Sequence, residues 1–203
     1  GLGDVYKRQK YNIYIIGVTA IGALVVAVRQ WAINAQLSDN ANFRFERILA
    51  WVNPEKFADD TGFQTVQALY AIGSGGLFGK GLGKSLQKLG FIPEAQNDMI
   101  FSVICEELGL FGALCVLIVF GLMLWRFVYI ATNSPDLTGC LLVVGVFAHI
   151  AIQVILNVAV VTNLIPNTGI SLPFISYGGT SVLFLMAEMG IVLNVSSRIR
   201  MEV

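Results

Sequence analysis

An all-α, polytopic membrane fold is the class this sequence predicts, and three observations carry it. Of the 203 residues, 56% are hydrophobic and 13% charged, with a mean hydropathy of +0.72, a balance unlike that of a water-facing globular surface. Four stretches, 11–28, 108–131, 139–162 and 180–195, come close to the roughly 20 apolar residues that a helix needs to cross a bilayer core. The segments between them are of two kinds: a long loop at 30–98 with amphipathic helical patterning, and a short one at 163–179 that is rich in Pro and Gly yet still apolar. The expected architecture is therefore about four transmembrane helices, a large external loop containing amphipathic helices, and a re-entrant external segment.

Residues 1–9, GLGDVYKRQ, read as the translated end of a sequencing adapter and are set aside. Residues 10–203 then read as the C-terminal part of one membrane domain whose N-terminal spans are missing, and such a fragment is expected to be inactive alone. Trp31 follows the first span, where an indole suits the membrane interface. Phe45, Ile48, Leu49 and Val52 recur at i, i+3, i+4, i+7, the pattern of an amphipathic helix lying along the outer lipid surface. A further helix over Gln64–Ile72 is broken by GSGGLFGKGLGKS, whose six glycines let the backbone approach a neighbour closely. The stretch is not a phosphate-binding P-loop, because Phe78 stands where that pattern needs Gly and no buried strand precedes it. If it turns helical, Lys80, Lys84 and Lys88 share one face at i, i+4 spacing, to contact lipid headgroups or to neutralise a diphosphate.

The stretch FIPEAQNDMIF, residues 91–101, places Glu94 and Asp98 directly before a long apolar run. Helix-end physics accounts for them without any function: Pro93 starts a turn, Glu94 favours its positive end, and Asn97 or Asp98 caps the next helix. Glu106 and Glu107 precede the apolar residues that begin at Leu108, so they fall at or just inside the interface, either solvated or forming the negative wall of a polar cavity. In the third span His149, Gln153 and Asn157 form a polar stripe at i, i+4, i+8 that must face protein or water, most plainly for hydrogen bonds between helices. The segment NLIPNTGISLPFISYGGTS, from Asn163 onward, mixes turn formers with Ile, Leu and Phe; non-helical backbone of that kind is tolerated at membrane depth only where protein or a wet cavity satisfies it. Glu188, near the middle of the last span, costs about 2.5 kcal/mol or more unless paired or wet, and a pair with His149 is open to it. Cys105, Cys115 and Cys140 show no metal or redox spacing and read as small core residues.

Arg198 and Arg200 in the tail and Arg126 beside the loop of 126–138 place those segments in the cytoplasm by the positive-inside rule, while residues 163–179, without Lys or Arg, and the loop 30–98 lie outside. Trp125 and Tyr129 suit the inner aromatic belt. A formal net charge of zero gives no argument for nucleic acid. The glycine loop, the acids and the re-entrant segment thus gather on one membrane face.

With these residues assembled, the sequence resembles the SEDS family (shape, elongation, division and sporulation) of peptidoglycan glycosyltransferases, which includes RodA, FtsW and SpoVE. AIGSGGLFGKGLGKSLQKLGFIPEAQNDMIFSVICEELGLFG is similar to the family's large external loop and following helix, and NTGISLPFISYGGTS to its C-terminal signature. GLGKSLQK is more similar to the division and sporulation branch, FtsW-like, than to the elongation branch. The family often has His-Thr before the acidic residue; Gln96 and Asn97 stand there instead, so no assisting histidine is implied.

The resemblance implies a polymerase that joins lipid II, a disaccharide-peptide on undecaprenyl diphosphate, into glycan strands outside the bacterial cytoplasmic membrane. It implies Asp98 as the catalytic acid residue, acting as general base on a sugar hydroxyl. Glu94, Lys80, Lys84, Lys88, Pro173, Ser176, Tyr177, Gly178 and Gly179 would bind substrate, with Glu106, Glu107, Asn157 and Glu188 as polar groups of the cavity. A divalent cation, Mg or Mn, is one candidate source of positive charge for the leaving diphosphate; no other cofactor is expected. Implied partners are a class B penicillin-binding protein, the transpeptidase, and other division proteins. Two rival functions suit the same residues: a transporter flipping lipid II, and a non-catalytic scaffold for the transpeptidase.

Overall fold

The structure is a computed structural model that describes residues 19, 22–28, 30–31, 43–57, 62–85 and 96–199. All regular secondary structure among them is helical, as the sequence predicts. The chain divides into two compact units, 1–62 and 63–203.

In the first unit, helix α1 (Phe43–Val52) is the predicted amphipathic helix, and a 3₁₀ turn at Pro54–Phe57 follows it. Trp51 and Val52 form a small apolar cluster with Val25 and Ile48. Most of the first predicted span, 11–28, lies outside the described residues; Thr19 and residues 22–28 within it are helical.

The second unit holds α2 (Phe63–Gly75), α3 (Ile100–Thr132), α4 (Leu137–Val161) and α5 (Gly179–Ser197). Among the described residues α3, α4 and α5 are long and apolar enough to cross a membrane. The four-residue link from α3 to α4 makes these two antiparallel neighbours. On α4, Val143, Val146, Ile150, Val154, Asn157 and Val161 are buried at steps of three or four, so one stripe of the helix faces its partners. That stripe meets Phe120, Phe127 and Ile130 of α3 and Leu185, Val192 and Val195 of α5. In lipid such contact gains close packing more than water exclusion, which is why the opposite faces keep Leu122, Trp125, Leu141, Ile152 and Leu183 outward. Arg126 lies 4.8 Å from the Tyr129 ring centroid, a cation-π contact suited to an interface.

The helix that carries the second span starts at Ile100, close to the start near Asp98 that the capping residues imply, so Glu106 and Glu107 lie about two turns along it. Two expectations differ from the structure. Asn97 and Asp98 do not cap that helix; Met99 stands at the cap, with no side-chain capping bond. Of the three cysteines read as core, Cys105 is buried and Cys140 partly so, whereas Cys115 lies on the exposed face of α3.

Helix α3 is broken at Gly109, whose φ of 68° and ψ of −166° are open to glycine and hostile to a side chain. In an unbroken helix the Leu110 N–H would donate to the Glu106 carbonyl and the Phe111 N–H to the Glu107 carbonyl. The glycine loop takes all four groups instead. Leu110 and Phe111 donate to the carbonyls of Gly76 and Leu77 (3.0 and 3.2 Å), while Lys80 and Gly81 donate to those of Glu106 and Glu107 (2.9 Å each). Contact is so close that a Cβ on Gly109 would stand 2.4 Å from the Gly79 nitrogen, and one on Gly79 would stand 2.2 Å from the Glu107 oxygen. The predicted close approach of this loop is thus to α3 itself.

The segment between α4 and α5 folds back on the bundle. Leu172 and Pro173 are buried, and the Ile170 carbonyl accepts from Asn157, a full turn before the end of α4. That explains the apolar content of a segment built from turn residues.

Candidate active site

Asp98 sits just ahead of α3, where α2, the end of α4 and the 162–178 segment converge. Gln64, one residue into α2, donates from Nε2 to Asp98 Oδ1 at 3.1 Å. Asn167 donates from Nδ2 to Gln64 Oε1 at 2.9 Å, and the Gly169 N–H donates to Asn167 Oδ1 at 3.0 Å. Two bonds fix the backbone around the carboxylate. Asn157 Nδ2 donates to the Asp98 carbonyl at 2.8 Å while also reaching that of Ile170 at 2.7 Å, and the Tyr177 N–H donates to the Gln96 carbonyl at 2.8 Å. Asp98 is 9% exposed and Met99 beside it is buried.

The 162–178 segment is shaped for this docking. Ser176 closes a turn on Leu172, its Oγ accepting from the Leu172 N–H at 2.7 Å and its own N–H donating to the Leu172 carbonyl at 3.1 Å. Between them Phe174 holds a φ of 62°, a conformation that costs a bulky residue roughly 1–3 kcal/mol and is kept only where surroundings over-determine it. Pro173 and Ser176 are buried, Tyr177 projects outward, and Gly178 and Gly179 open α5. Asn157 is fully buried with both donor bonds made; its Oδ1, and Gln153 Oε1 one turn before it, face no donor among the described residues.

About two turns along α3 a second carboxylate has a different setting. Glu106 is wholly buried, and its Oε1 accepts from Lys80 Nζ at 2.7 Å and from Ser74 at 3.4 Å, while Ser85 donates to its Oε2. Of the expected lysine face, Lys80 turns inward to this pair and Lys84 is exposed, because residues 80–85 form turns and not a helix; Lys88 lies outside the described residues, as does Glu94. Glu107 is partly buried, with Oε1 facing no donor among the described residues. His149 Nδ1 and the Glu188 carboxylate stand 2.9 Å apart across α4 and α5, the pair left open by the sequence. Among the described residues no group of three or more His, Cys, Asp or Glu side chains is gathered to hold a metal ion.

Gln64 and Asn167 had no place in the sequence reading of the site. Asn167 in PNTG does carry a signal, the spacing of an Asx turn, whereas Gln64 shares its helix with Thr65 and Gln67 and does not stand out.

Residues 8–201 match the FTSW_RODA_SPOVE family, described as "Cell cycle protein". The chain belongs to this family. It is 49% identical over 157 residues to "Stage V sporulation protein E" of Bacillus subtilis (strain 168), covering 77% of this chain and 43% of that protein. It is 46% identical over 153 residues to "Probable peptidoglycan glycosyltransferase FtsW" of the same organism, covering 75% and 38%. The chain thus spans less than half the length of these two curated relatives. A chain of a solved peptidoglycan synthase complex, described as "Structural coordination of polymerization and crosslinking by a peptidoglycan synthase complex", superposes with a TM-score of 0.62 at 27% identity, over 94% of this chain and 50% of that one. Together with three apolar helices of spanning length, family membership makes this a polytopic all-α membrane protein of the FtsW/RodA/SpoVE type.

Proposed function

We propose that this protein polymerises peptidoglycan by joining lipid II units into glycan strands, in division or sporulation, with Asp98 as general base. The observation that carries the reading is the setting of Asp98: its carboxylate accepts from the Gln64 amide and its backbone carbonyl from Asn157, at the end of the bundle where the family's two sequence signatures meet. A sugar hydroxyl is a poor nucleophile. As its oxygen bonds to the anomeric carbon of the neighbouring unit, its proton passes to the Asp98 carboxylate, while the bond from that carbon to the diphosphate breaks and its electron pair leaves with the polyprenyl diphosphate.

The leaving group needs positive charge. Lys84 and Lys80 are both exposed in the glycine loop, and Lys80 is paired with Glu106; Lys84, Lys88 and Glu94 are substrate contacts in this proposal. Tyr177, Gly178 and Gly179 would meet the substrate's sugars, with Pro173 and Ser176 holding that wall in place. The described residues offer no ready set of metal ligands, so no step is routed through Mg or Mn. Arg126 and Arg198 lie toward the opposite ends of the helices from Asp98, which supports an external active face and a cytoplasmic C-terminus. A transpeptidase of the class B penicillin-binding type is the proposed partner, on the likeness to a chain from a synthase complex.

Asp98→Ala in the full-length protein, reconstituted with lipid II, should abolish glycan-strand formation while leaving the fold intact. Undiminished strand formation would overturn the assignment. The His149–Glu188 pair favours a second reading, a lipid II transporter, since charge within a span suits alternating access. Labelled lipid crossing between leaflets without polymer would select that reading; polymer formation selects the first.

A further inference from the structure

The three amides around Asp98 have only one self-consistent orientation. A backbone N–H can only donate, so the Asn167 atom facing Gly169 must be its oxygen. The Asn167 nitrogen then faces Gln64, which must present its own oxygen there. Gln64 is left with its nitrogen toward Asp98 Oδ1, and that oxygen must accept. From these constraints we infer that Gln64 and Asn167 form a positioning relay, anchored on the Gly169 N–H, that holds Asp98 as a proton-accepting carboxylate ready to act as base.

The inference rests on the polymerase reading and adds the means by which the base is kept in its working state. A hydrogen bond donated to a carboxylate favours its ionised form, and the relay makes that donation obligatory. Three of the elements packed around it, α2, α4 and the 162–178 segment, contain no Asp, Glu, Lys or Arg. Their titratable side chains are Tyr70, Cys140, His149 and Tyr177, and Glu106 and Glu107 follow about two turns along α3. The relay also links chemistry to docking: the Asn167 and Gly169 groups are in place only when the 162–178 segment is seated against α2 and α4. Base and cavity wall are therefore set together.

The decisive variant is Asn167→Asp. A carboxylate still accepts from Gly169 but cannot donate to Gln64, so the Gln64 amide turns over and presents oxygen to Asp98. The acid limb of the pH–rate profile for strand formation should move up by about one pH unit, with the rate recovering at higher pH. An added negative charge could produce such a shift through space, so the same substitution is made in a Gln64→Leu background, where the relay predicts less than half the shift. Equal shifts in both backgrounds, no shift, or a loss that is uniform across pH would each overturn the relay. Should Asn167→Asp fail to accumulate in membranes, infrared difference spectra of the wild-type protein against Asp98→Asn decide the matter. A carboxylate band at neutral pH supports the relay, and a protonated carboxyl band overturns it. Strand formation by Asp98→Asn would instead sink the assignment of Asp98 as base, and absence of strands from the wild-type protein would sink the polymerase reading itself, so the failures are distinguishable.

Discussion

Two carboxylates about two turns apart at the start of one helix are handled in opposite ways. Glu106 is wholly buried with the Lys80 ammonium against it, and the Asp98 carboxylate accepts from the neutral amide of Gln64. A buried carboxylate bound to a cation has its charge committed to structure, since protonating it would strand the lysine and freeing it would bury a bare charge. In the proposed function the Asp98 carboxylate, bonded to an amide, keeps its charge for the reaction. The difference separates a fastening from a tool, although both residues look alike in the sequence as acids beside an apolar run.

Substitutions can break or sharpen that contrast. The largest effect belongs to Asp98→Ala, where loss of a general base should lower strand formation by about 100- to 10,000-fold with thermal stability in detergent unchanged. Lys80→Met should do the reverse, costing about 1–3 kcal/mol of stability because the buried Glu106 loses its ammonium partner; a melting midpoint close to wild type would refute the fastening role. Gly109→Ala should cost about 1–3 kcal/mol, since the new methyl would meet the Gly79 nitrogen and the residue would be held at positive φ. The smallest structural effect is expected at Lys84→Ala, within about 0.5 kcal/mol, with any loss appearing in strand formation alone; a large drop in stability would place Lys84 among the fastenings.

The spans were legible because a run of apolar residues is both the signal and the cause of a membrane helix, and α4 and α5 begin and end within about two residues of the expected bounds. The start of α3 near Asp98 is legible from the helix-end residues, whereas the break at Gly109 is not. Hydropathy marks the apolar residues after the Gly109 break, and it cannot see that Glu106 is neutralised by a lysine 26 residues earlier. The glycine loop declared close approach without naming its neighbour. Asp98 stood out through its place in a motif, and Asn157 through its place in a polar stripe. Gln64 and Asn167 stayed hidden because the bond between them joins residues 103 apart, and an amide side chain carries no sign of its partner in local sequence. His149 and Glu188 were visible individually, and only the packing of α4 on α5 could bring them within 3 Å.

The interruption at Gly109 has a consequence for how this region can vary. Because four main-chain groups of the helix are matched in register by residues 76, 77, 80 and 81, the intervening stretch behaves like a key cut to a fixed length. Adding or deleting one residue there would unseat every one of those bonds at once, while side-chain changes at Leu77 or Phe78 would leave them whole. Surface connections usually tolerate indels and resist little else; this one should be permissive in composition and intolerant in size.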